Sequence, residues 1–164
     1  PEKGTAMTYR IKGLDRAPFE RFFPMDDEAL ARHGARRVIA DNPRFPCRVS
    51  LEDAAVGESL ILLNHVSNDV DGPYRATHAI LIREKAGDAA TLVDRTPPVF
   101  ETRTLSLRAL DAAGDIVASR VSPPDGHDAA IRALLADPHV DHIDAHNAGH
   151  GCFSARIERY MEVA

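Results

Sequence analysis

The stretch His142-Ile-Asp-Ala-His-Asn-Ala-Gly-His-Gly-Cys-Phe-Ser-Ala-Arg156 puts imidazoles, a carboxylate, a thiol and a guanidinium within a few residues of a glycine-rich turn. Glycines at 149 and 151 tolerate positive φ, so residues 140–147 and 152–160 are expected to close a terminal β-hairpin. Side chains alternate between the faces of a strand. His142, Asp144 and His146 then share one face, and Ile143 and Ala145 the other. On the return strand Phe153, Ala155 and Ile157 form an apolar row, while Cys152, Ser154, Arg156 and Glu158 form a polar one.

Three chemistries fit such a face. Neutral imidazole and carboxylate are zinc ligands, and His142, Asp144 and His146 lie at same-face spacing, although no C-x-x-C or H-E-x-x-H accompanies them. A thiolate with an imidazole as base is a nucleophile, which makes Cys152 and His146 candidate catalytic residues. A plain solvated face with an Asp144–Arg156 cross-strand ion pair is the competing expectation. His150 in the turn and His33 at a helix end stay outside the candidate site.

Composition narrows the partners. The chain has 164 residues, 20 Lys and Arg against 25 Asp and Glu, and a formal charge of −5. That balance disfavours nucleic acid, which needs clustered positive charge. The longest apolar runs, such as Leu60–Leu63, fall far short of the ~20 residues of a membrane helix, so a cytoplasmic protein with no membrane partner is expected. The absence of Trp and the scarcity of other aromatics argue against a stacking platform for bases or sugars. Cys47 and Cys152 are expected to be reduced thiols, able to pair only if the fold brings their Cα atoms within ~7 Å.

The elements that must position these residues are short. Residues 1–6, ahead of Met7, read as an expression remnant or frayed terminus, and 7–164 as one domain. Thr8–Ile11 is a strand candidate, and Asp26 to Gly34 has the capping residue, helix formers and glycine stop of a short helix. Two prolines in Asn42-Pro-Arg-Phe-Pro46 predict an ordered loop into Cys47. Ser50–Ala54 carries an S-x-x-D capping signature and predicts a helical turn. Ser59–Leu63 reads as a central strand, 66–74 as a polar loop, and His78–Arg83 as a buried strand. Thr102–Leu110 and Asp115–Val121 form a hairpin around Ala113-Gly-Asp115, and Ile131, Leu134 and Leu135 mark one face of a helix over 129–136. The sum is an α+β domain, mostly antiparallel sheet with two short helices and a C-terminal β-hairpin.

Several motifs in this order resemble a known family. They are Pro46-Cys-Arg48, Ser50–Ala54, Gly57-Glu58, Gly72-Pro-Tyr-Arg75, His78–Arg83, Arg103, Ser106–Ala109, His146–Ala148 and Gly151–Arg156. Together they resemble the bacterial domain-of-unknown-function family 1203, over nearly the whole span from Tyr9 to Tyr160. The resemblance brings no settled activity. It implies a set of positions: Cys47, Arg48, Tyr74, Arg75, His78, Arg103, Arg108, His146, Asn147 and Cys152. The chain departs from the family's pattern at Asp144, where H-x-H-N is usual, and over 148–150, where a basic residue and proline are usual.

Independently of that resemblance, Arg48, Arg75, Arg103 and Arg108 are four guanidinium forks in an acidic chain. Such forks capture carboxylate or phosphate, or else they pair internally with Asp53, Glu58, Glu84 and Glu101. Two functions follow as expectations. One is a small-molecule, anion-accepting protein or enzyme whose pocket is walled by the Cys47 loop, the Tyr74–His78 segment and the terminal hairpin, with no cofactor required. The other is a non-catalytic interaction module that offers the edge of the terminal hairpin to a partner strand.

Overall fold

The computed structural model describes residues 7–161. Pro1–Ala6 and the last three residues lie outside the described residues, and with them the expectation about the N-terminal remnant. Within the described residues, nine strands and a few short helices make an α+β fold. The strands are β1 (Thr8–Lys12), β2 (Arg36–Ile39), β3 (Ser59–Asn68), β4 (Ala76–Arg83), β5 (Thr91–Val93), β6 (Leu105–Leu110), β7 (Ile116–Ser122), β8 (His142–Asn147) and β9 (Phe153–Tyr160). The helices are α1 (Asp27–Arg32), α2 (Pro98–Glu101) and α3 (His127–Leu135), with single 3-10 segments at Ala17–Phe22 and Pro124–Gly126. Among the described residues no helix is long and apolar enough to cross a membrane.

Two antiparallel sheets form where one was expected. A six-stranded sheet runs β5-β1-β9-β8-β6-β7, and a three-stranded sheet runs β2-β3-β4. The large sheet buries Tyr9, Ile11, Leu105, Leu107, Ile143, Ala145, Ala155 and Ile157 on one face, against Ile131, Leu134 and Leu135 of α3 and Phe100 of α2. That pattern is the period-two alternation read from the sequence, met by the i, i+3, i+4 stripe of one helix. The small sheet turns Ile61, Leu63, Ile80 and Ile82 toward Phe19, Phe22, Leu30, Cys47 and Val49.

Local chemistry explains the element ends. Asp26 caps α1 by accepting from the Ala29 amide at 2.8 Å. The helix closes with Gly34 at φ 67°, while Gly34 N donates to Ala31 O and Ala35 N to Leu30 O at 3.0 Å each. This is the paired closure that a glycine after a helix permits. At the start of α3, buried His127 directs Nε2 at the carbonyls of Phe100 and Arg103, 3.1 and 3.0 Å away. Nε2 is therefore the protonated nitrogen, and Nδ1 accepts from the Ser122 hydroxyl at 2.8 Å. The imidazole thus fastens α3 to the segment that carries Arg103.

Three expectations are corrected. Residues 50–54 form no helical turn: Leu51 sits in the left-handed region at φ 53°, Asp53 bridges Pro46, and its carboxylate is taken by Arg103 instead of capping a helix. β3 continues to Asn68 rather than ending before a loop at Val66, because its register with β4 runs through His65–His78 and Val66–Thr77. The terminal hairpin offers no edge, since β9 lies between β1 and β8 and β8 between β9 and β6. Every interior strand of a sheet has both rows of backbone groups occupied, so strand addition there has nothing to pair with.

The exit of β1 packs directly on the Cys47 loop. Leu14 N donates to Arg48 O at 2.8 Å and Gly13 N to Ala90 O at 2.9 Å. A Cβ on Gly13 would stand 2.1 Å from the carbonyl oxygen of Val49. Gly13→Ala is therefore expected to cost about 1–3 kcal/mol in urea unfolding, as overpacking against backbone does. Gly87→Ala, where nothing stands within 4 Å, is expected to stay within about 0.5 kcal/mol of the parent.

Candidate functional site

The face of the large sheet opposite its apolar core carries the polar row of the terminal hairpin. In β8 and β9, His142 faces Glu158 and Asp144 faces Arg156 across the ladder. Asp144 is 2 % exposed and accepts from Arg156 Nε at 2.8 Å and Nη2 at 3.2 Å. Nη2 also donates to the Ser67 carbonyl of β3 at 2.9 Å. One guanidinium thus satisfies a buried carboxylate and ties the two sheets together.

The alternation breaks at one residue. Ala145 pairs with Ala155 but His146 pairs with Phe153, so Ser154 is an extra residue in β9. Such a bulge reverses the facing of everything beyond it. Phe153 leaves the expected apolar row and enters the polar seam, with its ring centroid 5.8 Å from that of His146 and 6.0 Å from that of His65. Cys152, beyond the bulge, leaves the face of His146. No hydrogen bond joins the two: His146 Nδ1 donates instead to Gly151 O at 2.9 Å.

Three imidazoles line this seam. His146 and His78 meet edge to face at 4.8 Å, and His78 Nδ1 lies 3.3 Å from the Ser67 hydroxyl. His65, opposite His78 in the ladder, packs against Phe19 and Phe153. Burial lowers the pKa of all three. In His146 it outweighs the bond to Gly151 and, with Arg108 nearby, brings the pKa to about 4; Arg108 also disfavours a charge on His78, and Arg156 one on His65. At neutral pH the seam is uncharged apart from its arginines and Asp144.

The zinc set expected from sequence is not assembled. Asp144 is committed to Arg156, His142 Nε2 is 3.9 Å from Asp144, and His142 Nδ1 is engaged by Asp141 at 2.8 Å. Among the described residues no group of three or more His, Cys, Asp or Glu side chains is placed to hold a metal ion.

The four arginines separate by partner. Arg103 is closed on Asp53 by two parallel bonds of 3.0 and 2.7 Å. Arg75 is exposed and paired with Asp69, beside exposed Tyr74, in the connection from β3 to β4. Arg108 bonds only the Ser106 hydroxyl, at 3.3 Å. Arg48 differs from all of them: it is 3 % exposed and has no carboxylate partner among the described residues. Its Nε donates to Phe153 O at 2.7 Å and Nη1 to Pro46 O at 2.6 Å, which leaves Nη2 unbonded. Burial lowers its pKa to about 10, so it remains a cation.

Arg48 lines a cleft of about 640 Å³ between the Cys47 loop, residues 79–81 of β4, residues 102–104 and the β8–β9 turn. Arg44, Arg103, Asn147 and Cys152 share its wall. Two other clefts, of about 530 and 700 Å³, each have carboxylates in their lining, and this one has none. Asn147 Oδ1 is buried there without a partner. The cleft therefore joins two of the three walls expected from sequence. The Tyr74–His78 segment contributes neither Tyr74 nor Arg75, and His78 stands in the seam. Cys47 is buried beneath, its sulfur accepting from the amides of Ser50 and Arg83 at 3.5 and 3.4 Å. Arg44, in the proline-flanked loop, was not singled out in the sequence; its guanidinium has no ion pair among the described residues.

The seam makes stability depend on acid. An unfolded histidine titrates near ~6.5, so between that value and the folded pKa of His146 the unfolded chain takes up a proton that the folded chain refuses. Stability is complete above that window and falls as pH drops through it. Urea unfolding at pH 7 and pH 4.5 should show His146→Gln losing about 2 kcal/mol less than the parent over that interval. Equal losses would mean that His146 titrates normally in the fold.

No curated protein and no solved structure matches the chain. Residues 44–159 match the family described as "Protein of unknown function (DUF1203)", a span that takes in the Cys47 loop, Arg48, the seam and the terminal hairpin. The match covers more than half of the 164 residues, and the chain belongs to that family.

Proposed function

We propose that the protein binds a small anionic molecule in the cleft walled by the Cys47 loop, β4 and the β8–β9 turn. The observation that carries this reading is Arg48, a buried guanidinium that no carboxylate contacts among the described residues, in a cleft whose lining has three arginines, one of them closed on Asp53, and no carboxylate. An uncompensated buried cation is costly to keep and is stabilised by an anion brought to it. Guanidinium suits carboxylate and phosphate oxygens, which accept from its fork. Asn147 lines the same wall, and its side-chain N–H is the kind of donor an anion accepts from. The two cysteines are free, which suits a reducing cytoplasm.

The test is thermal unfolding in the presence of inorganic phosphate, citrate or malonate, each against chloride at equal ionic strength. A bound anion at 100 times its Kd stabilises by about 2.7 kcal/mol, which for a chain of this size raises Tm by roughly 5–10 °C. Arg48→Met should abolish the rise. If all three anions leave Tm unchanged in the parent, or raise it equally in Arg48→Met, the cleft is not an anion site.

A further inference from the structure

We infer that Cys152 is the reactive group of this cleft and that the ligand class it takes is a small carboxylate-bearing disulfide, joined to Cys152 by thiol–disulfide exchange. The inference rests on the anion reading of the cleft and goes beyond it by adding a covalent step. Cys152 is partly exposed and lines the same wall as Arg48, while Cys47, the other cysteine, is fully buried. Independent of the cysteine, Arg48 is nine-tenths buried, lacks a carboxylate and keeps Nη2 unbonded, so the cleft is built for an anion before the thiol is considered.

The surroundings select the reaction. Acyl transfer to a thiol needs a paired imidazole to shuttle protons, and His146 is turned away by the bulge, with Nδ1 committed to Gly151. His150 lines the cleft but makes no hydrogen bond to Cys152. Exchange with a disulfide needs no such base at the leaving group. The Cys152 thiol gives its proton to solvent, the thiolate attacks one sulfur, the S–S bond breaks, and the departing sulfur takes the electron pair as a thiolate. Arg48 seats the carboxylate and faces the anion that leaves.

The experiment compares two disulfide probes on the folded chain, dianionic dithiobis(nitrobenzoate) and neutral dithiodipyridine, with the modified residue located by mass spectrometry. Dividing the anionic rate by the neutral rate removes differences in thiol exposure, and the urea-unfolded chain provides the reference ratio. The folded chain should exceed that reference at least tenfold at Cys152, inorganic phosphate should lower the excess, and Arg48→Met should remove it while Arg48→Lys restores part. Phosphate competition on the parent needs no variant, so a poorly folding Arg48→Met leaves the test intact. A folded ratio equal to the unfolded one, or a Cys152 inert to both probes, overturns the covalent role. If phosphate, citrate or malonate still raises Tm in that case, anion binding stands alone; if none does, both readings fall together.

Discussion

One extra residue in β9 decides what faces what at the busiest end of the molecule. Because Ser154 has no counterpart in β8, the pleat shifts by one and the apolar row stops at Ala155. Phe153 then stands on the polar face, where its ring packs among imidazoles and its carbonyl accepts from Arg48. A regular strand would aim that ring into the apolar core. Cys152 would return to the face of His146, and the guanidinium of Arg48 would lose one of the two carbonyls that hold it. Bulges re-aim side chains in this way at the ends of ladders, and here a single insertion separates an uncharged imidazole seam from a cationic cleft.

The two arginines beside that bulge, Arg156 half-buried and Arg48 buried, show why a charge can be structural in one place and available in the next. Arg156 meets Asp144 with a fork of two bonds and spends a further one on Ser67. Each charge there is paired, and removing Arg156 would strand the buried Asp144 carboxylate without its partner. Arg48 has only neutral carbonyl oxygens as acceptors. Two carbonyl dipoles solvate a guanidinium in part, but they do not neutralise it, and burial already moves its pKa well below the usual value. Arg103 lies on the same wall but is neutralised by Asp53.

Much of the fold was legible because period and punctuation agreed. The strands at 59, 78, 105 and 116, the α3 stripe and the terminal hairpin all combine an apolar rhythm with glycine or proline at the ends. The S-x-x-D signature at Ser50 misled for a tertiary reason: Asp53 has a stronger partner in Arg103, fifty residues away, and the backbone follows it. The dyad reading failed at Ser154, since alternation cannot register a bulge that no glycine or proline announces, and the metal reading failed because Asp144 is committed to Arg156 and His142 to Asp141. Arg48 was legible as a guanidinium in an acidic chain, whereas its lack of a counter-charge depends on distances that sequence does not carry. The same holds for Arg44, an unremarkable surface residue by type that the proline-flanked loop brings to the rim of the cleft.

The neutrality of the seam bears on how the cleft keeps its charge. If His65, His78 and His146 were protonated at neutral pH, the positive field near Arg48 and Arg108 would rise and fall with small changes in acidity. Burial opposes this by lowering the pKa of all three imidazoles, that of His146 to about 4. The arginines in turn oppose imidazole protonation, so each group reinforces the state of the other. Guanidinium stays charged throughout the range in which such a protein is folded. The cationic character of the cleft is therefore set by residues that do not titrate there. The imidazoles supply packing, through rings placed edge to face against one another and against Phe153, with polar edges that Ser67 and Gly151 satisfy.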